Sequence, residues 1–599
     1  MKRVLVSVLG GILSACAPAP EPVVTGDLMV WRPVTITFSG PKAAEQDARN
    51  PFTDYRLDVS FQGPAGGYVV PGYYAADGDA AESGADAGNK WRVHFIPDAP
   101  GEWTYRASFR SGKGVAVAED PAAGSSASFD GAHGSFTVAP SPAAGSDPAS
   151  RGLLRYTGGH YLQYAATGQR FLKHGADSPE NLLAYEDFDG TWDRGRGGQP
   201  DTAFLHTYKP HVRDWREGDP TWRGGKGKGL IGGLNYLAGK GVNAVYFLTQ
   251  NISGDGDDVW PWVDPEDYSR FDCSKLDQWE IVFRHMDRLG IMLHVVTAET
   301  ENDHLLDEGE LGPQRKLYYR ELIARFGHHL ALVWNLGEEN RNTADQIKAF
   351  SRYIHELDPY DHPVVMHTHS TPEHPEKRYG PLLGYEFFEG ASMQVRDDEI
   401  VHSVIAEWVA RSAAAGRPWV VTFDEQRTGA TGVEPDAVDP WHDGARHLHL
   451  WATLLAGGAG IEWFFGYNHP DHDLSLEDWR SRDNLWDITR WAIEFMHREL
   501  PFWEMRVADD LTSSADDFVF AKAGDVFAIY LPVWSNNRLD LGKERATYTV
   551  RWFNPRAGGE LLEGSVKELR GPGRQLLGQP PADRDKDWVV LVKRAGGTS

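Results

Sequence analysis

Two cysteines in 599 residues leave almost no room for disulfide chemistry. Cys16 falls in a leader, so Cys273 stands alone in Phe271-Asp-Cys-Ser-Lys, with no partner thiol and no nucleophile signature, and reads as structural. No CxxC pair, Walker-type loop or dinucleotide glycine fingerprint occurs, which removes sequence support for redox, ATP-driven and nicotinamide chemistry. No HExxH zinc motif is present either, and no cofactor is expected. Basic residues are in deficit: 60 Lys+Arg stand against 86 Asp+Glu, a formal charge of −26. Neutralising phosphates needs the opposite balance, so general nucleic-acid binding is excluded. After the leader, no apolar run is long enough to cross a bilayer.

What the chain has in abundance is aromatic side chains, with 22 Trp, 22 Tyr and 26 Phe. Such rings serve cores, and they also serve as flat platforms for ligands. With 41% hydrophobic and 24% charged residues, the chain is able to bury substantial cores.

The N-terminus reads as a targeting segment. Lys2 and Arg3 precede an apolar stretch over 4–13 that ends in Leu13-Ser-Ala-Cys16. This resembles a bacterial lipobox, which implies lipidation of Cys16 and a lipid-anchored location in the bacterial cell envelope, the membrane being contacted through that anchor only. Residues 1–16 are then the signal and 17–23 a tether.

Three folded regions follow. Residues 24–140 alternate apolar and polar positions, as in Tyr55-Arg-Leu-Asp-Val-Ser-Phe61 and Trp91-Arg-Val-His-Phe95, between Gly, Pro and Asp clusters. That pattern predicts an antiparallel β-sandwich. Residues 141–150 read as a linker. Over 151–502, short apolar strands alternate with helical segments, at 171–175, 244–249, 292–297, 332–336, 364–367, 385–388, 419–423 and 461–464. Eight strands so arranged predict an α/β fold, a (β/α)8 barrel; a doubly wound sheet is the alternative, disfavoured because no glycine-rich loop follows the first strand. Residues 503–599 return to strand grammar and predict a second, smaller sandwich.

A barrel builds its site at the C-terminal ends of its strands. Strand four runs Leu330-Ala-Leu-Val-Trp-Asn-Leu-Gly-Glu-Glu-Asn340, so Glu338 and Glu339 emerge there. Strand seven runs Pro418-Trp-Val-Val-Thr-Phe-Asp-Glu-Gln426, delivering Asp424 and Glu425. Carboxyls at a barrel mouth often only cap helices or pair with cations. Two apolar strands ending in Glu are what glycoside hydrolysis requires: one acid to protonate the leaving oxygen and one carboxylate at the anomeric carbon.

The strand-four segment Trp-Asn-Leu-Gly-Glu-Glu-Asn and the strand-seven segment resemble those of clan A glycoside hydrolases. The resemblance implies Glu339 as acid/base and Glu425 as nucleophile of a retaining double displacement. The Asn that usually precedes the acid/base is here Glu338, which therefore competes for the proton-donor role; Asp424, beside Glu425, is likewise an alternative for the functional carboxylate of strand seven. The flanking segments around Val70-Pro-Gly-Tyr-Tyr and Thr549-Val-Arg-Trp-Phe-Asn-Pro-Arg resemble, respectively, a β-domain of unknown function and the domain named for collagen binding, found with apiosidase-like and endoglucanase-like barrels. Trp463 on strand eight matches by place the aromatic floor of a sugar subsite; barrel core is an equal reading.

His174, Asn251, His294, Asn340, His367 and His369 are further candidates for contacts to a carbohydrate substrate. A His–carboxylate metal centre is the sharper alternative, but no ligand spacing supports it, and no metal is expected. The run Gly254-Asp-Gly-Asp-Asp258 lacks the complete spacing of a calcium loop. The long insertion over 179–228, rich in Tyr and Trp, could wall the cleft. Two other classes stay open: an inert polysaccharide-binding lipoprotein on the same scaffold, and a lyase acting on uronic polymers.

Overall fold

The computed structural model describes residues 21–141, 147–195, 205–371 and 373–596; Cys16 and its lipobox lie outside them.

The middle of the chain is a closed parallel barrel. Its strands are β1 (Lys173–Ala176), β2 (Ala244–Leu248), β3 (Met292–Val296), β4 (Leu332–Asn335), β5 (Val364–His367), β6 (Gly390–Val395), β7 (Val420–Gln426) and β8 (Gly460–Trp463). The ring closes by pairing β1 with β8, where Lys173 lies opposite Gly460 and Gly175 opposite Glu462. Every residue of these strands is buried, as expected of parallel strands covered by helices on one face and by each other on the other. The covering helices include α1 (Lys228–Gly239), α2 (Cys273–Leu289), α3 (Pro313–Phe326), α4 (Ala344–Leu357), α5 (Glu373–Tyr379), α6 (Val401–Ala414), α7 (Ala452–Leu455, continuing a wider turn over Ala445–Trp451) and α8 (Asp483–Glu499). Thr343 starts α4 with a reciprocal capping box to Gln346, satisfying two amides that helix geometry leaves orphaned.

Seven expected strands overlap observed ones; the sixth does not. Tyr385 and Phe387 look like strand residues but lie in a turn, where the Tyr385 hydroxyl donates to the Lys348 carbonyl at 2.8 Å and Phe387 packs on His355. The true strand, Gly-Ala-Ser-Met-Gln-Val, is small and partly polar, and is a strand because both faces are buried rather than by propensity.

The N-terminal region is the expected antiparallel β-domain, its two faces built from one continuous sheet. It curls in the order Val23–Gly26, Val34–Ala44, Ala87–Phe95, Gly66–Tyr74, Tyr55–Gly63 and Gly101–Ser111, the last of these also pairing with Ser125–Ser126 and His133–Val138. The Gly66–Tyr74 strand turns the corner, pairing with Tyr55–Gly63 through Gly72 and with Ala87–Phe95 from Tyr73. Gly72 is needed at that bend, since a Cβ there would lie 2.6 Å from the Arg92 carbonyl oxygen. The curl wraps stacked Phe61 and Phe95, 4.1 Å between ring centres, with Trp91, Trp103 and Phe109. It docks on the barrel through Glu45, whose Oε1 accepts the Cys273 amide at 2.7 Å at the start of α2.

The C-terminal region forms a six-stranded antiparallel sheet with a separate two-stranded pair, closed over Trp552 and Trp588. Arg446 on the barrel joins it to Asp587 at 2.7 Å, a buried charge pair whose loss on one side costs about 3–5 kcal/mol.

Candidate active site

Strand alternation decides which side chains reach the barrel interior. On β1, Lys173 points in and His174 out, so His174 packs beside Trp486 of α8 with 6.1 Å between rings, and burial drives its pKa to about 3. His174 therefore lies behind the barrel wall, away from the other candidates. Trp463 is also turned outward: its indole N–H donates to Thr489 Oγ1 on α8 at 2.9 Å. The aromatic expected as a subsite floor is core.

A single irregularity in β7 governs the acidic exit. Met393 lies opposite Phe423 while Gln394 lies opposite Glu425, so Asp424 is an extra residue, a β-bulge. Without it, Asp424 and Glu425 would face opposite ways. With it, both face inward. Asp424 drops into the barrel, accepting from Lys173 Nζ at 3.1 Å on each oxygen and from Thr422 Oγ1 at 2.6 Å. Glu425 stands above it, hydrogen-bonded to Gln394. Gln426 clamps this strand end to β8, donating to the Glu462 carbonyl at 2.7 Å and accepting the Phe464 amide at 2.9 Å.

Beneath the mouth is a buried ionic layer. Lys173 Nζ also donates to Glu462 Oε2 at 3.0 Å, and His294 Nδ1 lies 2.8 Å from the same oxygen. Asn335 Oδ1 accepts the amides of Gly337 at 3.2 Å and His367 at 3.1 Å, which turns its NH2 to His294 Nε2 at 3.1 Å. His294 consequently accepts at Nε2 and donates from Nδ1 to Glu462. Burial lowers the Lys173 pKa, but Asp424 and Glu462 outweigh it and hold the ammonium charged. His294 is thus a member of this layer, joined through Asn335 to the backbone beside Glu338 and His367.

The loop after β4 carries the other acids. Gly337 has φ +150°, and a Cβ on it would meet Asn340 Nδ2 at 2.7 Å. Asn340 staples the loop, donating to the Leu336 carbonyl at 3.0 Å and accepting the Asn342 amide at 2.8 Å, so its amide is occupied within the loop. Glu338 turns inward and is buried; its Oε1 lies 2.6 Å from His367 Nδ1, and it approaches Glu425. His367 Nε2 lies 3.7 Å from Glu425 Oε2. Glu339 takes the left-handed backbone region (φ +38°), which turns its half-buried side chain toward His369, 3.4 Å between Oε2 and Nε2. Asn251 is buried above β2 under Gly256, and its side chain has no hydrogen-bond partner among the described residues.

Burial first, and the neighbouring carboxylates second, push Glu338 and Glu425 well above the usual carboxyl range, whereas burial brings the His367 imidazole down to about 4 against the opposing pull of Glu339, Asp424 and Glu462. Three acids that the sequence reading passed over share this field. Asp177, just after β1, and Glu180 are buried with strongly raised pKa values, and Asp473, which accepts the Glu180 amide at 3.0 Å, is pushed up to about 7 by burial. Asp177 was accessible to the same strand-end rule that found Glu425. Gln394 was hidden by the misplaced sixth strand, and Asp473 sits in a loop that carries no motif.

Three groups of described residues have ligand-like spacing: Glu338–His367–Glu425, His294–Asp424–Glu462 and Glu280–His328–His329. The second already encloses the Lys173 ammonium, and in the third Glu280 is bound by the Arg284 guanidinium. The run at 254–258 is tied into the fold instead: Asp258 accepts the Arg194 amide at 2.8 Å and Asp255 the Tyr467 hydroxyl at 2.9 Å. In the long insertion, Tyr185, Tyr208 and Trp222 are buried and Trp192 remains exposed; residues 196–204 lie outside those described.

Residues 27–110 match the model of a domain of unknown function, DUF5060. Comparison with curated proteins finds no match. Among solved structures, a protein described as a candidate glycoside hydrolase from Bacteroides vulgatus ATCC 8482 is 16% identical with a TM-score of 0.61, covering 95% of this chain and 99% of its own. A glycoside hydrolase is 14% identical with a TM-score of 0.53, over 76% of this chain and 99% of that one. A glycoside hydrolase family 5 protein from Bacteroides vulgatus ATCC 8482 is 13% identical with a TM-score of 0.51, over 74% and 93%. The chain thus has the fold seen in glycoside hydrolases, a (β/α)8 barrel, preceded by a DUF5060 β-domain.

Proposed function

We propose that the protein is a retaining glycoside hydrolase acting on a poly- or oligosaccharide, with Glu425 as nucleophile and Glu339 as acid/base. The observation that carries this reading is the convergence of the β4 and β7 acids at one mouth, with Glu425 made inward-facing by the Asp424 bulge. Glu425 forms the glycosyl ester as Glu339 gives its proton to the leaving oxygen; Glu339 then takes a proton from the water that cleaves the ester. Glu339 suits the two-way role because it is half-buried at the opening, where water arrives, whereas Glu338 is turned inward onto His367 and Glu425. Its left-handed backbone is the kind of local strain that persists where a side chain must be aimed. His369 beside it, 3.4 Å away, is a polar group placed to contact a bound sugar.

A panel of defined oligosaccharides tests the reading, with wild type and the Glu425→Gln and Glu339→Gln variants compared. Cleavage by wild type and its loss in Glu425→Gln support it; unchanged cleavage by Glu425→Gln refutes it. Binding without hydrolysis across the panel supports the inert carbohydrate-binding alternative, and an unsaturated, ultraviolet-absorbing product a lyase. The lipobox-like Leu13–Cys16 assigns this activity to a lipid-anchored protein of the bacterial envelope, which the mass of the processed N-terminus checks. The C-terminal sheet is read as an accessory domain packed on the barrel.

A further inference from the structure

Glu338 follows β4, His367 ends β5 and Glu425 lies near the end of β7, so no spacing along one element announces them as a set; closure of the barrel brings them together. One oxygen or nitrogen of each lies within 4.8 Å of those of the other two. His367 Nδ1 is 2.6 Å from Glu338 Oε1, and its Nε2 is 3.7 Å from Glu425 Oε2. The imidazole is held in place: the His367 amide donates to Asn335 Oδ1 at 3.1 Å, and the ring meets Tyr246 edge-on, 6.1 Å between centres. All three side chains are buried. Glu338 Oε2 and His367 Nε2 have no hydrogen-bond partner among the described residues. Among those residues no Lys or Arg pairs with Glu338 or Glu425, because Lys173 beneath them is taken by Asp424 and Glu462. Two buried carboxyls and an imidazole with open acceptor atoms lack a positive partner, and buried charge without one is costly.

A metal ion is the partner that fits this donor set. Zn²⁺ takes carboxylate oxygen and imidazole nitrogen at about 2.0–2.2 Å, which in tetrahedral geometry sets ligand atoms about 3.4 Å apart. The two His367–carboxyl separations, 2.6 and 3.7 Å, bracket that spacing, so modest side-chain shifts seat the ion. An imidazole among the ligands favours a first-row transition ion over Ca²⁺ or Mg²⁺, which prefer oxygen throughout. The other two ligand-like groups already face protein cations, Lys173 and Arg284. We propose that Glu338, His367 and Glu425 form a binding site for a divalent transition ion of the Zn²⁺ class, and that the ion, by occupying Glu425, closes the active site reversibly. The closure rests on the reading of Glu425 as the nucleophile; the binding site does not. A sugar and the ion compete for one carboxylate, so the loaded protein is the inactive form.

Equilibrium dialysis of the metal-stripped full chain against Zn²⁺, with Ca²⁺ and Mg²⁺ alongside, tests the site without a substrate. Zn²⁺ should bind wild type, and its affinity should fall about tenfold or more in each of Glu338→Gln, His367→Gln and Glu425→Gln, since even outer-shell changes cost that much. Circular dichroism identifies a variant that has not folded, and the two near-isosteric Glu→Gln variants keep the test readable if His367→Gln is one. No uptake of Zn²⁺ by wild type, equal uptake of Ca²⁺, or uptake unchanged by these substitutions overturns the proposal; the last would place the ion at another group, such as Glu280–His328–His329. Zn²⁺ should also stop oligosaccharide cleavage, and a chelator should restore it. Full cleavage at saturating Zn²⁺, by a protein that Glu425→Gln inactivates, overturns the closure. If Glu425→Gln instead keeps its activity, the hydrolase reading fails by itself and the dialysis result stands.

Discussion

Asp424 and Glu425 are adjacent in sequence and face the same side of one strand, because the bulge at Asp424 cancels the alternation that would separate them. Their neighbours then give them different work. Asp424 is locked to Lys173 at 3.1 Å below the mouth, and Glu425 above it has no Lys or Arg partner among the described residues.

Substitution should separate the two. Asp424→Asn removes one of the two carboxylates that hold the buried Lys173 ammonium, leaving Glu462 as its partner, and should lower stability by about 1.5–3 kcal/mol in denaturant titration. Glu425→Gln should leave the unfolding midpoint close to wild type and reduce turnover about a thousandfold or more. Comparable destabilisation by both would contradict this division.

Trp463 gives a sharp distinction between core and sugar platform. Trp463→Phe removes the hydrogen bond to Thr489 and some volume behind the barrel wall, and should cost about 1–3 kcal/mol of stability. KM for any cleaved oligosaccharide should not change. A rise in KM with unaltered melting would return Trp463 to the subsite.

His174 makes an acid-sensitive contribution. Its folded pKa of about 3 lies below the unfolded value near 6.5, so the unfolded chain binds more protons between these limits and stability falls as pH drops through that window. His174→Leu should remove about 2 kcal/mol of the stability difference between pH 7 and pH 5, without altering turnover. An unchanged pH slope would mean the imidazole is not buried neutral.

Asp473 acts in the opposite sense. Its pKa is raised from 3.8 to about 7, so the folded state holds the extra proton and stability falls as pH rises through that range. Asp473→Asn should flatten this fall, with a gain of a few kcal/mol, to order of magnitude, above pH 7. Denaturation at pH 5 and pH 8 measures it; equal slopes in both proteins would mean that Asp473 does not hold the extra proton.

The barrel was legible because β2, β3, β4 and the first half of β7 are dense runs of Val, Leu and aromatic residues bounded by helices. β6 was not, since Gly-Ala-Ser-Met-Gln-Val becomes a strand only when its neighbours bury it. The acidic ends of β4 and β7 were also legible, but their directions were not. Period-2 alternation sends His174 and Trp463 outward once the register is fixed, and register is a property of strand pairing. The bulge that aims Glu425 inward, the Gln394 opposite it and the arrival of Asp473 from a distant loop are tertiary facts with no local signature.

The most direct test of the two-glutamate account is the anomeric configuration of the first-formed product, followed by NMR during cleavage of a defined oligosaccharide. Attack by Glu425 followed by water predicts that the configuration of the cleaved bond is retained at early times, before mutarotation. An inverted first product would contradict the account.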